Sequence, residues 1–159
     1  MTVSSSRYER KSSRSKFTDE AGDVAEAEVR REGHTVTTRE LVSDDAAMIS
    51  REAKSFLDGG DDVLLFTGGT GVSSRDITIE TVKPFFQKEL PGFGELLRRI
   101  SYGEIGSAAM LTRATAGTAN GKLIVCMPGS PHAVKTALRA SISEFPHIVS
   151  VARRPLPIQ

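Results

Sequence analysis

A chain of 159 residues and 17.1 kDa, 38% hydrophobic and 26% charged, has the size of one domain with a sizeable core. That composition excludes whole-chain disorder and a collagen-like fibre, and the single cysteine, Cys126, excludes an internal disulfide scaffold and suits an intracellular chain. Twenty-one Lys and Arg against twenty Asp and Glu leave a formal charge of +1, without the basic excess of a dedicated nucleic-acid binder, and without an apolar run long enough for a membrane span or a signal peptide, so a cytoplasmic protein is expected.

In chain order, Met1–Ser6 reads as a short strand, although only Met1 and Val3 are apolar where a buried parallel strand calls for a continuous run. Residues 7–16 hold five Arg or Lys in ten positions and read as a flexible polar loop, either simply solvated or facing an anion. Thr18 is a candidate cap for a helix whose Ala21, Val24, Ala25 and Val29 recur at helical spacing up to Gly33. His34–Val42 follows as a strand, and Asp44 is placed to cap a helix over Asp45–Leu57 that Gly59 and Gly60 end.

Val63–Phe66 is an unbroken apolar run and reads as a central parallel strand. Its exit, Thr67-Gly68-Gly69-Thr70-Gly71, leads into a helix over 78–88 in which Pro84 implies a kink or break. Pro91-Gly92-Phe93-Gly94 reads as a turn, Glu95–Ile100 as a helix, and Thr112–Ala116 as a short strand after an irregular stretch. Asn120-Gly121 forms a hairpin-like turn before Leu123–Met127, a second apolar strand that exits through Pro128-Gly129-Ser130-Pro131 into a helix over His132–Phe145. Two apolar strands, each entering a glycine-containing turn before a helix, predict an α/β three-layer sandwich with a mostly parallel central sheet and ligands beyond the carboxyl ends of the strands.

Glycines 68, 69 and 71 free backbone N–H groups to grip an anion, with hydroxyls from Thr67 and Thr70 and the amino end of the following helix in support. The pattern is neither a P-loop nor the G-x-G-x-x-G fingerprint, and a purely structural turn is the plain alternative. Asp76 would hold Mg²⁺ against phosphates, accept a proton, or cap the next helix. Asp44 has the same choice between capping and the ligand rim. Two carboxylates converging on a phosphate loop without a His or Cys cluster point to Mg²⁺ rather than a transition metal. Gly129 and Ser130 add anion donors. His132 is a candidate base, weighed against a surface or capping histidine such as His34 or His147, and Cys126 reads as a buried small hydrophobe. Arg98, Arg99 and Arg113 would neutralise a phosphorylated ligand or serve as surface arginines, and Glu95 receives no role.

Taken together, Phe66 to Gly71, then Asp76 and Thr78, Pro91 to Glu95, and Met127 to Ser130 stand in an order and spacing that resemble the molybdenum-cofactor biosynthesis family whose members are called MoaB and MogA. Ile100 to Gly106 and Ala116 to Asn120 are more similar to the MoaB branch. The resemblance implies a molybdopterin-binding α/β domain in trimers or hexamers, and ATP- and Mg²⁺-dependent adenylylation of the terminal phosphate of molybdopterin, with a partner enzyme inserting molybdate afterwards. Carried onto this chain, it implies Asp44 and Asp76 as catalytic and metal-holding aspartates, and Ser5, Gly68, Gly69, Thr70, Gly71, Ser73, Gly129 and Ser130 as binding residues. A molybdopterin carrier without catalysis and a generic nucleotide-binding regulatory domain are the alternatives.

Three departures stand against the family pattern. Ser43 replaces a proline, Ser5-Ser6 replaces Ser-Asp, and the apolar residues that open the first strand are missing, which suggests a native start upstream of Met1 or a truncated strand.

Overall fold

The two apolar runs lie side by side at the centre of a six-stranded sheet in the computed structural model, which describes residues 1–9 and 19–155. The strands are β1 (Thr2–Glu9), β2 (Thr35–Ser43), β3 (Val63–Thr67), β4 (Lys88–Glu89), β5 (Thr115–Ala119) and β6 (Lys122–Met127), in the order β2-β1-β3-β6-β5-β4. β2, β1, β3 and β6 run parallel, and β5 and β4 continue the sheet in antiparallel pairs.

The central strands read as unbroken apolar runs because both of their faces are covered. Val63 and Leu65 of β3 and Leu123, Val125 and Met127 of β6 point into one core. There they meet Ala21, Ala25 and Val29 of α1 (Glu20–Arg31), Leu97 of α4 (Pro91–Ile105), Val134 and Leu138 of α5 (Pro131–Ser141) and Phe145 and Val149 of α6 (Phe145–Ala152). The alternating residues Leu64, Phe66, Ile124 and Cys126 enter a second core with Ile49, Ala53 and Phe56 of α2 (Ala46–Asp58) and Val82 of α3 (Thr78–Val82). The sandwich therefore has three layers, as expected.

Several element boundaries differ from the sequence reading, each for a local reason. β1 continues through Arg7, Tyr8 and Glu9, where a loop was expected, because its backbone is laddered to β2 as far as Glu9↔Ser43 and to β3 as far as Arg7↔Thr67. The remainder of that expected loop, 10–16, and Thr18 lie outside the described residues. The α1 cap is Asp19, whose carboxylate accepts from the Gly22 N–H at 2.9 Å. α2 is capped by Asp45, not Asp44. Pro84 does break its helix: α3 stops at Val82, and a 3₁₀ turn covers Lys83–Phe85.

The Pro91-Gly92-Phe93-Gly94 segment is not a turn but the first turn of α4, with Pro91 at a position where its missing N–H costs nothing. Gly94 is required there by close approach, since a Cβ would stand 2.6 Å from the Ala114 carbonyl oxygen. A 3₁₀ helix over Gly106–Leu111 fills the irregular stretch, and β5 starts three residues later than the short strand read from sequence. The final helix read over His132–Phe145 is split into α5, a 3₁₀ turn at Ile142–Glu144, and α6.

At the edge, β2 carries a bulge. The register passes from Val3↔Val36 to Ser4↔Thr38, so Thr37 has no opposite residue, and its hydroxyl donates to the Val3 carbonyl at 3.2 Å. At the end where the strands begin, the Asp62 carboxylate accepts from the Thr2 N–H (2.8 Å), the Thr2 hydroxyl (3.0 Å) and Arg153 (2.6 Å). Burial alone would raise the Asp62 carboxyl, but these donors hold it below the ordinary carboxylate range. Nearby, the buried Lys122 ammonium donates to the carbonyls of Phe56 (2.7 Å) and Gly59 (2.6 Å), tying down the end of α2. No described helix is long and apolar enough to cross a membrane.

Candidate functional site

β3 and β6 finish level with one another, at Thr67↔Met127, and their two exit loops meet there backbone to backbone. The Gly68 N–H donates to the Met127 carbonyl at 2.9 Å, and a Cβ on Gly129 would stand 2.9 Å from the Gly68 Cα. Glycine at 129 is therefore a condition of the two loops touching. Gly68 and Gly69 hold φ of +94° and +62°, a region that side-chain-bearing residues rarely adopt.

Buried Thr78 fixes this turn from behind. Its N–H donates to the Gly69 carbonyl and its hydroxyl to the Gly68 carbonyl, both at 3.0 Å. Arg113 takes the Gly71 carbonyl at 2.8 Å and pairs with Glu80, which holds the Glu80 carboxyl below its ordinary range despite partial burial. With the carbonyls occupied, the N–H groups of Gly69, Thr70 and Gly71 meet no acceptor among the described residues, which is the state of a cradle for anionic oxygens. The buried Thr67 hydroxyl beneath the loop likewise lacks a partner among the described residues.

Asp76 closes the loop. Its carboxylate accepts from the Ser73 N–H and its own N–H donates to the Ser73 carbonyl, both at 2.9 Å. A Cβ at Gly71 would stand 2.7 Å from Asp76 Oδ2, so the carboxylate occupies the space that glycine leaves. The capping alternative for Asp76 does not hold, because α3 begins after Ile77 without a side-chain cap. Nor is α3 the helix whose dipole serves the site. It has five residues, whereas the eleven-residue α5 begins at the second loop, its Ser130 cap accepting from the Ala133 N–H at 3.2 Å.

Together these parts wall a cavity of about 960 Å³. Gly68, Gly69, Thr70, Gly71 and Asp76 form one side with Gly129 and Ser130. The other side comes from α4, the Gly106–Leu111 turn and α5, through Ser101, Glu104, Ile105, Leu111, His132 and Thr136. Its ionisable side chains are Asp76, Glu104, Arg113 and His132, and His132 Nε2 stands 2.8 Å from Glu104 Oε2. The sequence reading missed Glu104, Ser101 and Thr136. Ser101 and Glu104 lie beyond Ile100, where the helix read from sequence ended, and for Thr136 nothing local told which face looks at a ligand.

Other expected site residues fall elsewhere. Asp44 is exposed at the end of β2, separated from β3 by β1 and so by two strand spacings, about 10 Å. Ser5 pairs with Leu65, two residues short of the level of Thr67, so it lies within the ladder and not at its end. Ser73 is exposed and serves the loop through its backbone. Neither Arg98 nor Arg99 lines the cavity, and neither do His34 and His147. Burial pushes the Cys126 thiol up, which removes it as a nucleophile.

No group of three or more His, Cys, Asp or Glu gathers among the described residues. Mg²⁺ does not need one, since it is commonly held by one or two carboxylates together with substrate phosphates. The hard oxygen donors of Asp76, the carboxylate beside the glycine loop, suit it chemically.

A family model described as a probable molybdopterin binding domain matches residues 1–147. The chain is 41% identical over 140 residues to molybdenum cofactor biosynthesis protein B of Bacillus subtilis (strain 168), covering 86% of this chain and 82% of that protein. The protein of the same description from Staphylococcus aureus (strain Mu50 / ATCC 700699) is 49% identical over 111 residues, which are 69% of this chain and 66% of that one. Among solved structures, a tungsten cofactor synthesizing protein MoaB from Pyrococcus furiosus superposes with a TM-score of 0.88 at 37% identity, covering 96% of this chain and 97% of that one.

Proposed function

The chain belongs to the MoaB/MogA family of molybdopterin-binding proteins, on its MoaB side, and from that premise we propose that it is an adenylyltransferase that moves AMP from ATP to the terminal phosphate of molybdopterin. The observation that carries this reading is the cradle of unengaged N–H groups at Gly69, Thr70 and Gly71 with the Asp76 carboxylate folded against it.

In the reaction a terminal-phosphate oxygen of molybdopterin forms a bond to the α-phosphorus of ATP, and the bond from that phosphorus to the bridging oxygen breaks to release pyrophosphate. The attacking phosphate is already ionised near neutral pH, so no strong base is required, which agrees with a cavity whose one histidine is paired to a carboxylate. The cradle takes up charge on the phosphate oxygens, and its fixed backbone spares reorganisation as the charge shifts. Asp76 would hold Mg²⁺, which when bound neutralises charge on the ATP phosphates. Arg113, already neutralised by Glu80, acts by positioning the loop through the Gly71 carbonyl. Assembly into trimers or hexamers and hand-over to a molybdate-inserting enzyme belong to the same proposal.

One observation favours a second reading, a carrier that binds molybdopterin without adenylylating it: Asp44 stands outside the cavity wall, which leaves Asp76 as the carboxylate at the cradle. Pyrophosphate release from ATP and Mg²⁺, measured anaerobically with and without molybdopterin, separates the two. Release that requires molybdopterin supports the transferase, and tight molybdopterin binding without release establishes the carrier.

A further inference from the structure

The wall opposite the glycine loops is built from one face of α4 and the start of α5, and it differs in kind from the phosphate side. Ser101, Glu104 and Ile105 stand at helical spacing on α4, and His132 and Thr136 stand one turn apart on α5. Glu104 and His132 join the two helices across 28 residues of sequence, with Nε2 to Oε2 at 2.8 Å. The other two ionisable groups of the cavity are committed to the loop: Asp76 to the Ser73 N–H, and Arg113 to Gly71 and Glu80. Glu104 is engaged by His132 through Oε2, and its Oε1 has no hydrogen bond among the described residues. Beside it, Ile105 and Leu111 are half exposed, at 52% and 60%, and present apolar surface to the same space.

A flat bicyclic ring with an amino-pyrimidinone edge fits this arrangement. Such an edge offers two parallel N–H donors, from the ring N3 and the exocyclic 2-amino group, which a carboxylate accepts side by side. We infer that Glu104, oriented by His132, reads the amino-pyrimidinone edge of the pterin while Ile105 and Leu111 cover the ring face, so that the glycine loops select for phosphate and this helical wall selects for the base. The inference rests on the molybdopterin reading above and assigns the specificity of that site to a residue pair.

The test titrates the full chain calorimetrically with 6-hydroxymethylpterin phosphate and with its lumazine counterpart, in which an oxo group replaces the 2-amino group. An oxo group turns a donor toward Glu104 into an acceptor, so the wild-type protein should prefer the pterin by about tenfold or more. In Glu104→Gln, and further in Glu104→Ala, that preference should fall below about threefold, while affinity for the lumazine phosphate is retained and reports that the variant is folded. An unchanged preference in both variants overturns the inference and leaves the molybdopterin reading standing. Failure of the wild-type protein to bind either ligand overturns that reading, and this inference with it.

Discussion

At the end of the sheet where the strands begin, side-chain charge closes the structure, whereas at the end where β3 and β6 finish the two exit loops meet backbone to backbone. Asp62 gathers Thr2, Arg153 and the start of β3 into one contact, and Lys122 spends its ammonium on the carbonyls that end α2. Those charges are consumed by the fold. At the other end, Gly68, Gly69 and Gly129 bring two loops together without side chains, and the N–H groups left over face a cavity. The contrast shows how one small domain divides its polar groups: charge that stabilises is placed opposite to charge that binds.

The sharpest way to break the comparison is Asp76→Asn. The amide oxygen still accepts from the Ser73 N–H, so the melting temperature should stay within about 1 °C, while pyrophosphate release should fall about 100-fold or more. Equal turnover in the variant would remove Asp76 from the chemistry. Next comes Gly129→Ala, which forces a methyl against the Gly68 Cα and should cost about 1–3 kcal/mol of stability, together with a weakened affinity for phosphate-bearing ligands. Thermal unfolding and phosphate-ligand titration on the same sample check both.

Asp62→Ala should show the reverse pattern to Asp76→Asn, losing about 1–3 kcal/mol in denaturant unfolding with turnover intact. Because the Asp62 carboxyl titrates below its ordinary 3.8 in the folded chain, its contribution is full above that value and is lost as pH falls through the lowered one. Wild type and variant should therefore converge in stability toward strong acid, and a constant gap down to pH 2 would refute the assignment. Lys122→Met, which leaves the Phe56 and Gly59 carbonyls without their donor, should cost about 1–2 kcal/mol by the same measurement.

What sequence alone could tell follows the same division. β3 and β6 were legible because burial on both faces demands an unbroken apolar run, and the glycine loop because positive φ and close approach demand glycine. β1 was legible only in part, since Ser4–Glu9 lack an apolar run and their backbone is laddered to β2 throughout and to β3 as far as Arg7. Asp44 and Asp45 are neighbours of one type, and the choice of cap between them depends on where α2 starts. The helix at Pro91 was hidden by two glycines, of which Gly94 has a tertiary reason, the nearby Ala114 carbonyl. Glu104 carries no local signal, and His132 offers only its place just after the second loop, because their pairing exists only once α4 and α5 lie together.

The bulge at Thr37 bears on what the edge of the sheet can accept. β2 is nine residues long and has no strand on its outer side among the described residues, so its ladder of peptide groups is a template on which a stray strand can grow. The extra residue at Thr37 interrupts the regular spacing of those groups, and Arg39 and Glu40 follow it after Thr38. A strand added from outside loses register after the first few pairs and then meets charge. At the opposite margin β4 has two residues, too few to seat one. Growth by sheet extension is thus discouraged at both margins.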